Sequence, residues 1–270
     1  MDNEYNDLNN DIPNDEGLSH ADKIAALARE PAAMFTNAAK YPINTVDWLL
    51  PLFIVLLFTI ISSAIIMSVP EIKIEIKEKA KVQIYKRLDE KLKKGASMDD
   101  IVKERAIAEK QLDYIGSPIG LVFQSVSILV GGFIIFFFIT AYFHLLFRYG
   151  FRADIEFKQS MFIVGITEYV SAINIFIFAL ISVFAKHAFE GLNGSMFFSL
   201  DKHSFGYFFL SKVDPLTIIS FLLIGLGFAK FAKSENTNKF IIGSIGSWIG
   251  IGFIWFLAIK YVPFFKAFSS

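Results

Sequence analysis

Between Leu49 and Val262 the chain carries five apolar runs, each long enough or nearly long enough to cross a bilayer, and that pattern leaves few folds open. A hydrocarbon core of ~30 Å needs about 20 apolar residues in a helix. The first run, 49–69, meets this without a single charge. The second, 119–147, is longer than a straight span requires, which predicts a tilt, a kink near Gly131-Gly132 or an extension past the headgroups. The third, 161–184, is apolar apart from Glu168, Asn174 and a few hydroxyls. The fourth, 216–231, is short and follows Asp214-Pro215, where proline at the first helical turn gives up no needed hydrogen bond. The fifth, 240–262, returns after the polar turn from Lys233 to Lys239. In lipid, backbone groups must be satisfied within their own segment, so continuous runs of this length predict helices and not the alternating strands of a barrel. The expected fold class is all-α: a polytopic integral membrane protein of five transmembrane helices, with a charged helical hairpin between the first two. A composition that is 54% hydrophobic, with 31 Phe, agrees.

The segments outside the runs differ in character. Residues 1–18 carry six acidic and no basic residues and too little apolar surface to offset ordering, so a disordered tail is expected; 263–270 is a short second tail. No cleavable signal peptide is visible, and the first span is expected to act as the insertion signal. Over 19–48, Ser19 and Asp22 suit helix N-caps, and Ile24, Leu27, Ala28, Met34 and Phe35 recur at roughly helical spacing, interrupted at Pro31 and ended by Tyr41-Pro42. This segment lies either in the membrane interface, anchored by Phe35 and Trp48, or against the protein's own cytosolic face. The loop 70–118 holds twelve Lys/Arg against ten Asp/Glu, a near balance that argues against a nucleic-acid surface. It splits at Gly95, a helix C-cap residue, ahead of Ser97 and Asp100 at the next N-cap. A hairpin of Ile72–Lys94 and Met98–Tyr114 follows, with Ile76, Val82, Ile84, Leu88 and Leu92 shielded by Ile101, Ile107 and Leu112. It is either a solvated face or a platform for a protein partner.

Several residues also form a family pattern. A proline helix (Glu30-Pro-Ala-Ala-Met-Phe35) leads through a second proline and Trp48 into the first span, and a charged loop follows. Phe157-Lys-Gln159 enters the third span, and Val213-Asp-Pro-Leu-Thr217 precedes the glycine-bearing fourth, Ile224-Gly-Leu-Gly227. Over about 25–262 the chain resembles the bacterial branch of the Yip-one family, five-span proteins named for eukaryotic members that bind Ypt/Rab GTPases. The Asp-Leu-Tyr-Gly-Pro-Phe-Trp type segment of those eukaryotic members is absent here, so no GTPase partner is carried over. The resemblance implies a cytoplasmic N-terminus and an outside C-terminus in a bacterial inner membrane. Positive charge in the short loops points the same way, nine inside against five outside, although counting the twelve of the long loop reverses it.

Within the membrane, Glu168 is the one clear carboxylate, and Thr167, Glu168, Ser171 and Asn174 fall on one arc of the third span. Thr140, His144 and Arg148 recur every four residues at the end of the second. Antiparallel packing would bring His144 and Glu168 close enough to pair, either as a proton relay or cation site, or as a register lock in which Glu168 bonds Arg148 or a hydroxyl. With no Cys, four scattered His and no nucleophile elbow or phosphate loop, no metal, cofactor or enzymatic chemistry is expected. Gly225 and Gly227, and Gly243, Gly246 and Gly250 with Ser247, suit close helix contacts, internal or with a second copy. The aromatic segment from Lys186 to Val213 is either a half-inserted element in the outer leaflet or a lid on the bundle. The function expected is non-enzymatic: a Yip-one-type protein that organises membrane through contacts with the lipid bilayer, a protein partner or itself. The competing class is a small transporter, channel or lipid translocase built on the Glu/His polar stripe.

Overall fold

The computed structural model describes residues 18–189, 191–198 and 200–262, so both expected tails fall outside the described residues except for Leu18. Ten α-helices appear among them, with no strand: α1 (His20–Arg29), α2 (Pro31–Ala38), α3 (Val46–Ser68), α4 (Pro70–Lys93), α5 (Met98–Tyr114), α6 (Pro118–Leu145), α7 (Phe157–Ala185), α8 (Phe205–Ser211), α9 (Pro215–Phe231) and α10 (Thr237–Tyr261). Four of them, α3, α6, α7 and α10, are long and apolar enough to cross a membrane. A fifth crossing exists if α8 and α9, bent by 65° at their junction, count as one broken span. The fold class is therefore all-α and multi-pass.

That bend changes the expected fourth span. Proline at 215 has no N–H to give and pushes its predecessor out of the helical region, and Asp214 accordingly sits at φ −121°, ψ 108°. The 17 residues of α9 rise only about 25 Å, short of the hydrocarbon core, so a crossing here requires α8 as well, on a different axis. Of the alternatives open for the second span, the structure shows a long continuous helix, Pro118–Gly150 counting the turn that follows α6. Helix α6 runs through Gly131-Gly132 without a break, and the irregularity comes later, in a π-helical turn at Leu146–Gly150.

The core is densest at the end of the bundle where the chain enters it. Phe35, Phe147, Phe162, Phe228 and Phe240 are fully buried, and Phe147 stacks between Phe228 and Phe240 at centroid distances of 4.5 and 5.3 Å. Two glycines make the close approaches possible. A Cβ on Gly165 would lie 2.7 Å from Trp48 Cα, so α3 and α7 cross nearly backbone to backbone. A Cβ on Gly227 would lie 3.0 Å from the Phe35 ring, and that hollow receives the α2 side chain. Phe35 is thus 0% exposed and meets Phe162 edge-on, while Trp48 stacks on Phe136 at 5.7 Å. The segment 19–48 packs on the protein itself, with Phe35 turned inward and Trp48 half-buried.

The loop 70–118 folds as a hairpin. Gly95 ends α4 at φ +92°, a left-handed conformation that glycine adopts without strain, and Ser97 caps α5 by accepting from Asp99 N. Lys91 pairs with Glu104 at 2.6 Å, and Tyr85, Arg105 and Glu109 form a second cross-helix contact. The expected apolar seam is only partly closed: Leu88 is buried, but Val82 and Ile107 are exposed, because two isolated helices with this charge density bury little. The base of α4 is tied to the far end of α7. Lys186 holds Glu71 at 2.6 Å, and Glu75 accepts from Ala188 N and faces His187.

Candidate intramembrane site

Three elements, α6, α7 and α9, leave a half-open cleft of about 260 Å³ between them. Its walls are mainly apolar (Ile139, Val164, Ile175, Phe221, Ile224), and α7 supplies Thr167, Glu168, Ser171 and Asn174 to its floor, with Thr217 and Ser220 from α9. Ile139, which lines the cleft, is exposed on α6, a helix that buries only Phe136, Thr140, Phe143 and His144.

Most of the polar groups in the cleft are already committed. Thr167 Oγ1 donates to Val164 O at 2.7 Å and Ser220 Oγ to Leu216 O at 3.1 Å, the back-bonding that lets hydroxyls sit in an apolar helix. Asn174 Nδ2 donates to Asp214 Oδ2 at 2.9 Å, as does Thr217 Oγ1 at 2.6 Å. Asp214 Oδ1 accepts from the backbone N–H groups of Leu216 and Thr217, which caps α9. Glu168 is left with Ser171, one turn along its own helix, as its polar neighbour.

The expected pairing of Glu168 with His144 or Arg148 does not form. His144 Nδ1 meets Ser160 Oγ at 2.9 Å, and the ring stands edge-on to Phe157 at 5.4 Å. Glu168 lies eight residues beyond Ser160, about 12 Å deeper along α7. The π-helical turn takes Arg148 off the four-residue face, and its guanidinium donates to Ile155 O at 3.3 Å. The polar stripe of α7 is therefore real as a surface, but its counterpart comes from α9 and not from α6.

Two features of the membrane domain are invisible in the runs themselves. Asp214 is a buried carboxylate at the α8–α9 junction; an Asp before Pro at the head of an apolar run signals a cap but not its bond to Asn174. The other is a buried knot at the entry end. Lys23 Nζ donates to Asp47 Oδ2 at 2.8 Å, His20 Nδ1 lies 3.3 Å from Asp47 Oδ1, and His20 Nε2 lies 2.7 Å from Tyr169 OH. Asp47 also accepts from Asn44 N. This knot joins α1 to α3 and α7.

The glycines divide in two. Gly225 lies 2.6 Å (from an added Cβ) from Ile241 Cα, and Gly243 abuts the Phe151 ring, so both sit at internal contacts along with Gly227. Gly246 and Gly250 face open space, so the expected internal small-residue seam stops at Gly243. Among the described residues no three His, Asp or Glu converge to hold a metal ion.

Comparison with known proteins finds no family model, no curated protein and no solved structure that matches the chain.

Proposed function

We propose that the chain is a non-enzymatic multi-pass membrane protein that takes the polar part of a membrane-dissolved molecule, a lipid headgroup in the first instance, into the cleft between α6, α7 and α9. One observation carries this reading: Glu168, a carboxylate within a span, faces a half-open cleft with mainly apolar walls, and among the described residues Ser171 is its hydrogen-bonding neighbour. A carboxylate in that setting costs several kcal/mol unless it is paired, protonated or solvated, and a helix interior can be closed more cheaply with an apolar residue. A broken span beside the cleft adds support, because discontinuous helices place free backbone groups at membrane depth where a bound polar group can use them. The headgroup's amine or hydroxyls would meet Glu168 and the α7 and α9 hydroxyls, and its acyl chains would leave through the mouth past Ile139. This is the chemistry of a lipid translocase or small transporter.

A second reading, the Yip-one-type membrane organiser, draws on a different observation. The Lys23–Asp47–His20–Tyr169 knot fixes α1 and α2 to the bundle and would give it a rigid face for a protein partner. Both readings place the protein in a bacterial inner membrane with the N-terminus cytoplasmic and the C-terminus outside, an orientation supported by the excess of basic residues in the short loops on that side. Proteoliposomes separate them. Wild type should carry fluorescent headgroup-labelled lipid between leaflets, and Glu168→Gln should lose that flux while keeping its melting temperature. Absence of flux in wild type, with Glu168→Gln changing only thermal stability, would overturn the translocase reading and leave the organiser.

A further inference from the structure

Helix α8 and the last four turns of α10 build a second aromatic site, separate from the cleft. Phe205 and Phe208 of α8 pack on Phe253 and Phe256 of α10, with centroids 5.2 to 6.3 Å apart. Two lysines lie on this aromatic plate. Lys260 Nζ stands 4.2 Å over the Phe205 ring and 5.5 Å over Phe256. Lys212 Nζ stands 5.0 Å over Trp248 and 5.5 Å over Phe208. The approach of Lys212 depends on a glycine: a Cβ on Gly252 would come within 2.8 Å of its Nζ.

Neither lysine has a carboxylate partner among the described residues, and the nearest acid in sequence, Asp214, is turned to α7 and spent on Asn174, Thr217 and the α9 cap. A lysine at the end of a span ordinarily reaches the headgroup layer with its own stem, which accounts for Lys260. It does not account for Lys212, which lies against Gly252, eight residues and about 12 Å further in than Lys260. Aromatic faces attract an ammonium but leave its N–H donors unfilled. The surroundings indicate what fills them. Phe197, Phe209 and Tyr261 are exposed around the plate, an apolar aromatic collar that belongs in a bilayer interface and not in water.

We infer that the α8–α10 plate binds an anionic phospholipid headgroup, its phosphate at Lys212, with Lys260 adding positive charge nearer the helix end and the acyl chains along the exposed aromatic collar. The bend at Lys212–Asp214 serves this site directly. It ends α8 where the Lys212 side chain can lie across α10, and an unbroken span would carry that residue elsewhere.

The test uses the full chain in detergent micelles, with melting temperature and native mass spectra read as phosphatidylglycerol, phosphatidylcholine or inorganic phosphate is titrated in. Phosphatidylglycerol should bind and raise the melting temperature where phosphatidylcholine does not. Lys212→Gln and Lys260→Gln should each weaken phosphatidylglycerol about fivefold, and Lys212→Arg should retain it. Equal response to both lipids, or unchanged phosphatidylglycerol affinity in Lys212→Gln, overturns the site. An equal shift with inorganic phosphate alone shows a free-anion site and overturns the lipid assignment. Should Lys212→Gln fail to fold, the lipid selectivity of wild type and the Lys260→Gln response decide the matter.

Discussion

Replacing Asp47 with alanine should release α1 from the bundle. The carboxylate is 3% exposed and satisfies three donors at once, Lys23 Nζ at 2.8 Å, His20 at 3.3 Å and Asn44 N at 3.2 Å. Its removal strands Lys23, itself only 8% exposed, as a buried cation whose remaining contact is the Phe162 ring at 5.8 Å. Breaking one side of a buried pair costs about 3–5 kcal/mol, most of it from the charge left behind. The buried apolar face of α1 is small, with Leu27 its one buried hydrophobic residue, so the segment has little else to hold it and should undock before the bundle unfolds. At 3 kcal/mol the undocked population rises about 150-fold. Limited trypsin digestion in micelles reads this directly, because Arg29 is exposed at the end of α1 and cleavage there requires local opening. Cleavage should accelerate by about two orders of magnitude in Asp47→Ala, whereas Lys23→Met/Asp47→Leu, which removes both charges, should cleave close to wild type. If Asp47→Ala and the double variant digest alike, the stranded charge is not what destabilises the single variant, and the reasoning fails.

Two further outcomes follow from the packing and the charges. Gly225→Ala should lower stability by about 1–3 kcal/mol, since its Cβ would lie 2.6 Å from the Ile241 backbone, while Gly246→Ala, with nothing within 4 Å, should be neutral or slightly stabilising; paired melting curves check both. At the base of the hairpin, the Lys186 hydrogen bond holds Glu71 below the usual carboxylate range, and for Glu75 burial is outweighed by Ala188 N and Lys79. Both carboxyls bind protons less readily in the folded state, so their contribution is complete above the unfolded value and fades as pH falls through the lower folded one. A spin label at exposed Val82 should therefore report an unchanged α4 between about pH 7 and 5 and a looser one below about pH 4, with high salt giving a similar loosening.

Legibility in the sequence followed the range of the interactions. Helix starts at Ser19 and Ser97, and the turn at Gly95, depend on residues within one turn of each other, and the chain states them openly. The candidate site was half legible for the same reason. Thr167, Glu168, Ser171 and Asn174 share an arc because α7 is regular, so the stripe is fixed by spacing alone. Its partner depends on depth and rotation between helices. The π-helical turn at Leu146–Gly150 shifts Arg148 off its face, the true start of α7 at Phe157 sets Glu168 about 12 Å below His144, and the break at Pro215 brings Asp214 to Asn174.

What the sequence by itself determined is therefore the membrane-spanning, all-helical class, the charged hairpin and one polar stripe, because apolar run length and local capping act within a segment whatever its neighbours are. Only the tertiary structure decided that Phe35 is buried against Gly227, that Lys23 and Asp47 pair across the entry end, that Gly246 and Gly250 face open space, and that Glu168 looks into a cleft and not at His144. In lipid the hydrophobic effect distinguishes one apolar face of a helix from another only weakly, so rotation and register are set by glycine hollows, proline breaks and a few buried polar contacts, whose partners lie far apart in the chain.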